Sequence, residues 1–145
     1  MALDVDGTVV VLKPNGARVA SVHAPGLESV ALTRNELGVA GRTSLDLYDP
    51  ANGHLRKEIA LGPSAALALG GITSRIALLR GPHSLVLVRL DDGKLISFPL
   101  ASKVAKRLVD AKLTAAGLFY AYNGPRGTAK GRVVFEPTSR LLARF

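Results

Sequence analysis

The sequence predicts an all-β chain: a partial β-propeller of four-stranded antiparallel blades, about 3.5 of them. Two observations lead there. The first is a recurring shape: an apolar extended run, a turn rich in Pro, Asn, Asp or Gly, then a second extended run, as in a β-hairpin. It occupies residues 9–19, 45–55, 85–95 and 132–142, with starts 36, 40 and 47 residues apart. A repeat of about 40 residues that ends in a hairpin has the period of a propeller blade. The second is punctuation. Fifteen Gly and eight Pro cut the chain so finely that the longest segment free of both is 100–116, which favours many short strands over long helices.

In chain order, residues 1–26 read as half a blade, the hairpin 7–13 with 17–23. Residues 27–63 read as a full blade: inner strand 28–33, second strand 36–42, outer hairpin 43–61. Residues 64–102 form the next, with strands 65–69 and 73–80 and an outer hairpin over 83–100. Small residues dominate its inner strand, as a crowded centre requires. The last blade, 103–145, runs from about Val109 through 118–122 and a long loop at 123–131 to a closing hairpin ending at Phe145. The segment 101–109 reads as a linker between blades, although Val104 and Leu108 would share one face of a short helix.

With 145 residues, 48% apolar and 21% charged, the composition is that of one folded domain. No cysteine is present, so no disulfide framework exists. Residues 1–15 lack a signal-peptide layout, and no apolar run is long enough to span a membrane as a helix. The net charge of +8 is uneven. Residues 1–100 hold ten Lys+Arg against nine Asp+Glu, whereas 101–145 hold nine against two. Lys103, Lys106, Arg107, Lys112, Arg126, Lys130, Arg132, Arg140 and Arg144 therefore suggest an anionic partner or a solvated basic surface. Five of the seven aromatics share that third: Phe119, Tyr120, Tyr122, Phe135 and Phe145. Interleaved rings and cations suit single-stranded nucleic acid, and packing between blades is the structural alternative. In a strand Phe119 and Ala121 point one way and Tyr120 and Tyr122 the other, so some of these rings belong to a core.

Through its four hairpins, including Tyr48-Asp49-Pro50-Ala51-Asn52-Gly53, most of the chain resembles the WD40-like or TolB-like β-propeller repeats of bacterial proteins. The Trp-Asp dipeptide of eukaryotic WD repeats is absent. The resemblance implies a propeller scaffold and an extracytoplasmic parent protein. About 3.5 blades fall short of the four to eight with which propellers close, and an arc leaves open strand edges that template further pairing. The expectation is a homodimer closing a ring of seven or eight blades, or the C-terminal half of a longer propeller.

Asp4-Val5-Asp6-Gly7-Thr8 resembles the first motif of the haloacid-dehalogenase-like phosphatases, which implies Asp4 as nucleophile and Asp6 as general acid/base. Asp91-Asp92 after the apolar run 85–88 resembles the acidic motif of their magnesium site. Against this, only three residues precede Asp4, and the helices that such a fold needs between parallel strands have nowhere to go. The 123–131 loop is no phosphate loop, because Ala129 and Gly131 replace the required Gly and Ser/Thr. As the longest loop it is still a place for a binding function. His23, His54 and His83 lie about 30 residues apart, without metal-ligand spacing. No catalytic, cofactor-binding or metal-binding residue is therefore assigned and no cofactor is expected. The expected function is a non-enzymatic scaffold that self-assembles through open blade edges, with protein partners and no membrane. Anion or nucleic-acid binding by residues 101–145 is the alternative, and a hydrolase at Asp4 and Asp6 the remote one.

Overall fold

A computed structural model describes residues 7–62, 67–126 and 130–145 in full, and residues 2–5 as backbone. The chain is all-β, built as four antiparallel sheets taken up in sequence order. The first holds β1 (Ala2–Val5), β2 (Thr8–Leu12) and β3 (Arg18–His23). The second holds β4 (Ser29–Leu32), β5 (Leu37–Ala40), β6 (Ser44–Tyr48) and β7 (Leu55–Ala60). The third holds β8 (Ala68–Ile72), β9 (Ile76–Arg80), β10 (Leu85–Arg89) and β11 (Leu95–Phe98). The fourth holds β12 (Leu108–Leu113), β13 (Gly117–Tyr122) and β14 (Arg132–Pro137). Two short helices, α1 (Ser102–Ala105) and α2 (Thr138–Leu142), flank the fourth sheet. No sheet closes on itself. Among the described residues no helix is long and apolar enough to cross a membrane.

The hairpins predicted at 9–19, 45–55 and 85–95 form, as β2–β3, β6–β7 and β10–β11. Each turn carries a glycine at positive φ, Gly16 (+83°), Gly53 (+75°) and Gly93 (+74°), a conformation other residues adopt at a cost. The turns close with Gly16 N–H donating to Lys13 O, Gly53 N–H to Asp49 O and Gly93 N–H to Arg89 O, at 2.8–2.9 Å. The hairpin predicted at 132–142 does not form. Its turn residues Glu136-Pro137-Thr138-Ser139 include no glycine, and Pro137 has no N–H to continue a ladder. The chain instead turns into α2, which drives Leu141 into complete burial. The segment 101–109, predicted as a linker, holds one turn of helix, α1, and the first two residues of β12. At the N-terminus β1 adds a third strand to the expected hairpin, paired with β2 so that Val5 lies opposite Thr8. The inner strand of the third unit begins later than the predicted 65–69; Ala65 and Ala66 lie outside the described residues.

The sheets stack face to face through three apolar layers. Val9, Val11, Ala20 and Val22 of the first sheet meet Leu37, Val39 and Tyr48 of the second. The opposite face of the second, with Leu45, Leu47 and Ile59, meets Ile72, Ala77, Leu79 and Val88 of the third. The other face of the third, with Ile76, Leu78, Leu85, Leu87 and Phe98, meets Ala111, Leu113 and Leu118 of the fourth, capped by Leu141. Alternation along each strand decides which side chain enters which layer. β9 is buried on both faces, so Ile76-Ala77-Leu78-Leu79 reads as a continuous apolar run.

The first strands of successive sheets lie side by side, β4 against β8 and β8 against β12. Leu69 N–H donates to Ser29 Oγ at 2.7 Å across the first of these contacts. The second leaves no room for a side chain on β8 at two positions. A methyl on Gly70 would stand 2.8 Å from Leu78 Cδ2 and 3.1 Å from Ala111 O, and one on Gly71 would overlap the Leu113 carbonyl oxygen. The close approach falls at this glycine pair, beyond the small residues 65–69 on which the sequence placed the crowding.

Candidate interaction face and clefts

The second and third sheets are covered on both faces, whereas the fourth is covered on one. Its register puts Phe119 opposite Phe135 and Ala121 opposite Val133, so these four share the face turned away from the third sheet. Val133 is 72% exposed, Phe135 46% and Phe119 39%; the two rings stack with centroids 4.7 Å apart. Only six large apolar side chains are exposed among the described residues, and with Val109 at the β12 bulge four of them are on this sheet. Exposed apolar side chains grouped on one face make it the candidate interaction surface. The corresponding face of the first sheet carries Thr8, Val10 and Leu12 of β2, with His23, Ser21 and Arg18 opposite them in turn on β3. Among the described strands, β3, β7, β11 and β14 each end their sheet on the outer side.

The alternate positions of β13 point inward. Tyr120 packs edge-on against Phe98 at 5.8 Å and is followed by Tyr122 at 6.5 Å. Burial pushes the Tyr120 hydroxyl above its ordinary pKa, and the Glu136 carboxylate adds to the shift. Arg144 pairs with Glu136 at 3.1 Å and lies over the Phe98 ring at 5.0 Å. The aromatics of the basic third thus divide between core and exposed face.

The basic residues do not form one patch. Arg144 is spent on Glu136, Lys112 flanks the exposed face, Lys103 is on α1 and Arg140 on α2. Three do converge: Arg107, Lys130 and Arg132 line a cleft of about 630 Å³ with Tyr122 and Asn123. None of the three has an acidic partner among the described residues. Arg107 O accepts from Asn123 N–H at 3.0 Å, which fixes the rim.

Asp6 lies outside the described residues, as does the side chain of Asp4, whose backbone pairs with Val9 inside β1. Asp91 and Asp92 sit in the β10–β11 turn, held by Arg89; that partner keeps the Asp92 carboxyl far below the ordinary carboxylate range. All strand pairs are antiparallel, so the parallel strand–helix layout implied by the phosphatase resemblance is not present in the described sheets. His23 approaches Thr8 Oγ1 at 3.4 Å and His83 approaches Ala105 O at 3.1 Å, on different sheets. No three His, Asp or Glu side chains converge among the described residues.

A further repeat emerges from the structure. Thr33, Thr73 and Thr114 each open the turn between the first and second strands of their sheets, 40 and 41 residues apart. Each hydroxyl reaches the carbonyl three residues on: Thr33 to Glu36 O at 3.2 Å, Thr73 to Ile76 O at 3.0 Å, Thr114 to Gly117 O at 3.2 Å. Glu36 N–H and Ile76 N–H donate back to the hydroxyls of Thr33 and Thr73 at 3.0 and 3.1 Å. The sequence signal is Leu32-Thr33, Ile72-Thr73 and Leu113-Thr114 at nearly constant spacing. Thr73 is the buried one. Thr73→Val keeps its volume but strands Ile76 N–H, so it should lower stability by about 1–2 kcal/mol in urea unfolding. An unchanged midpoint would show that the hydroxyl is dispensable.

No family model matches the chain, and no curated protein is similar to it in sequence. Solved structures are similar in fold. One is the computationally designed Ika8 protein, 15% identical with a TM-score of 0.58 over 81% of this chain and 37% of that one. Another is KlHsv2 with loop 6CD replaced by a Gly-Ser linker, 12% identical with a TM-score of 0.58 over 90% of this chain and 52% of that one. The chain spans about half or less of the length of each, and at these identities the likeness is one of fold alone.

Proposed function

We propose that the chain is a partial β-propeller acting as a non-enzymatic scaffold, completed by a second copy. The observation that carries this is the exposed Phe119–Phe135–Val133 face. Among the described residues the three apolar layers are each closed by two sheets, whereas this face, with its rings beside Lys112, has no neighbouring sheet. The first sheet of a second copy would supply it, through Thr8, Val10 and Leu12. Two such contacts related by a two-fold axis would form a ring of sheets from two chains. The family resemblance to TolB-like propeller repeats agrees with this reading, as does a fold that matches only part of larger chains. Light scattering on a sizing column tests it. The expected mass is twice the 15.2 kDa of the chain; a monomer at all concentrations would remove the proposal.

A second reading rests on the Arg107, Tyr122, Lys130 and Arg132 cleft, where cations without acidic partners surround a half-buried ring. That combination suits single-stranded nucleic acid. Anisotropy of a labelled oligonucleotide should then show binding that weakens steeply with salt, and no binding at low salt would end this reading.

A further inference from the structure

The three threonine turns converge at one end of the stack. Between them lies a cleft of about 250 Å³ whose lining includes Arg34 and Asn35 of the second sheet's turn, Ser74 and Arg75 of the third's, and Ala115 of the fourth's. Thr138 closes its far side, donating through Oγ1 to Ala115 O at 3.0 Å and so tying the start of α2 to the third turn.

The charge around this cleft is specific. Arg56 is engaged by Glu36 and Asp49, Arg89 by Asp91 and Asp92, and Arg80 by Asp110. Arg34 and Arg75, both exposed, meet no carboxylate among the described residues. Ser74 and Arg75 also line an adjoining hollow with Glu36 and Asp91, whose carboxylates are engaged by Arg56 at 3.6 Å and by Arg89 at 3.2 Å. No acidic side chain lines the cleft itself. The turns add donors. In each, the threonine hydroxyl takes up later groups, and the amide N–H of Arg34, Ser74 and Ala115 makes no hydrogen bond among the described residues. The Ser74 hydroxyl is equally unengaged. Guanidinium groups, a hydroxyl and free amides that no carboxylate engages are the donor set that recognises a compact oxyanion, and guanidinium matches phosphate in a bidentate fork.

We propose that this end cleft binds a small phosphate-bearing ligand, gripped by Arg34 and Arg75 from neighbouring sheets and by Ser74 between them. The site lies within one chain and does not depend on assembly.

Pyrophosphate, titrated at constant ionic strength and followed by backbone amide NMR, tests it. Saturable shifts are expected at Arg34, Ser74, Arg75 and Ala115, and the double variant Arg34→Ala/Arg75→Ala should weaken the affinity by more than about tenfold. Both side chains are exposed, so the double variant should keep its unfolding midpoint. The triple variant Arg107→Ala/Lys130→Ala/Arg132→Ala should titrate like the parent. Shifts confined to Arg107, Tyr122 and Arg132, a non-saturating response, or an unchanged affinity in the double variant would each overturn the proposal.

Discussion

Gly71→Ala should destabilise the protein by about 3 kcal/mol, read as a shift of the urea midpoint. Gly71 lies on β8, where that strand runs against β12 of the next sheet. A methyl there would overlap the Leu113 carbonyl oxygen and stand 3.1 Å from its carbon and from Leu113 Cβ. These are mainly backbone atoms of a paired strand, so no side-chain rotation relieves the clash. The backbone itself is at φ +144°, which other residues rarely adopt. Gly16→Ala is the comparison that separates the two causes. Its φ is +83°, but a methyl there has nothing within 4 Å, so only the conformational cost of about 1–2 kcal/mol applies. Equal losses at the two positions would mean that β8 can draw away from β12, and the close approach would then not hold the fourth sheet in place.

Turn chemistry is the part of this fold that sequence states most directly. Asn15-Gly16, Asn52-Gly53 and Asp92-Gly93 name turns that need a residue at positive φ, and hairpins form at all three. The 132–142 stretch copies the apolar spacing but not that glycine, and becomes a strand and a helix. β1 was readable too, because Asp6-Gly7 is a two-residue hairpin signal, yet the same letters resemble a catalytic motif and draw attention away from pairing. The threonine turns were visible as a spacing, but a hydroxyl that closes a turn is indistinguishable in sequence from any other polar loop residue. The sites were less accessible. Alternation separates Phe119 from Tyr120, but which ring is buried depends on which side the third sheet packs. Arg34 and Arg75 are 41 residues apart and meet in one cleft only because their sheets stack in register.

On the proposed assembly, Phe135→Asp should convert the dimer to a monomer. Phe135, on the edge strand β14, lies tilted against Phe119 of β13 on the exposed face and would be buried by the second copy. An aspartate there would lose the apolar contact of a ring, about 2 kcal/mol, and would carry into the buried interface a carboxylate whose cross-strand neighbour is Phe119 and not a cation, costing about 3 kcal/mol more. Together these weaken association by several thousandfold, since each 1.4 kcal/mol is a factor of ten. In the monomer the site is already half in water, so the unfolding midpoint should hardly move. The geometry makes a sharper demand. If the fourth sheet of one chain meets the first sheet of the other, Val10→Asp on the opposite face should also give a monomer, although Val10 is far from Phe135 in sequence. Mixing the two variants should then restore a mixed dimer, because one of its two contacts joins an unaltered fourth sheet to an unaltered first sheet. A dimer built from two fourth sheets facing each other predicts otherwise: Val10→Asp stays dimeric, and mixing rescues nothing. Light scattering on the two single variants and their mixture therefore decides both whether the exposed face assembles and what it assembles with.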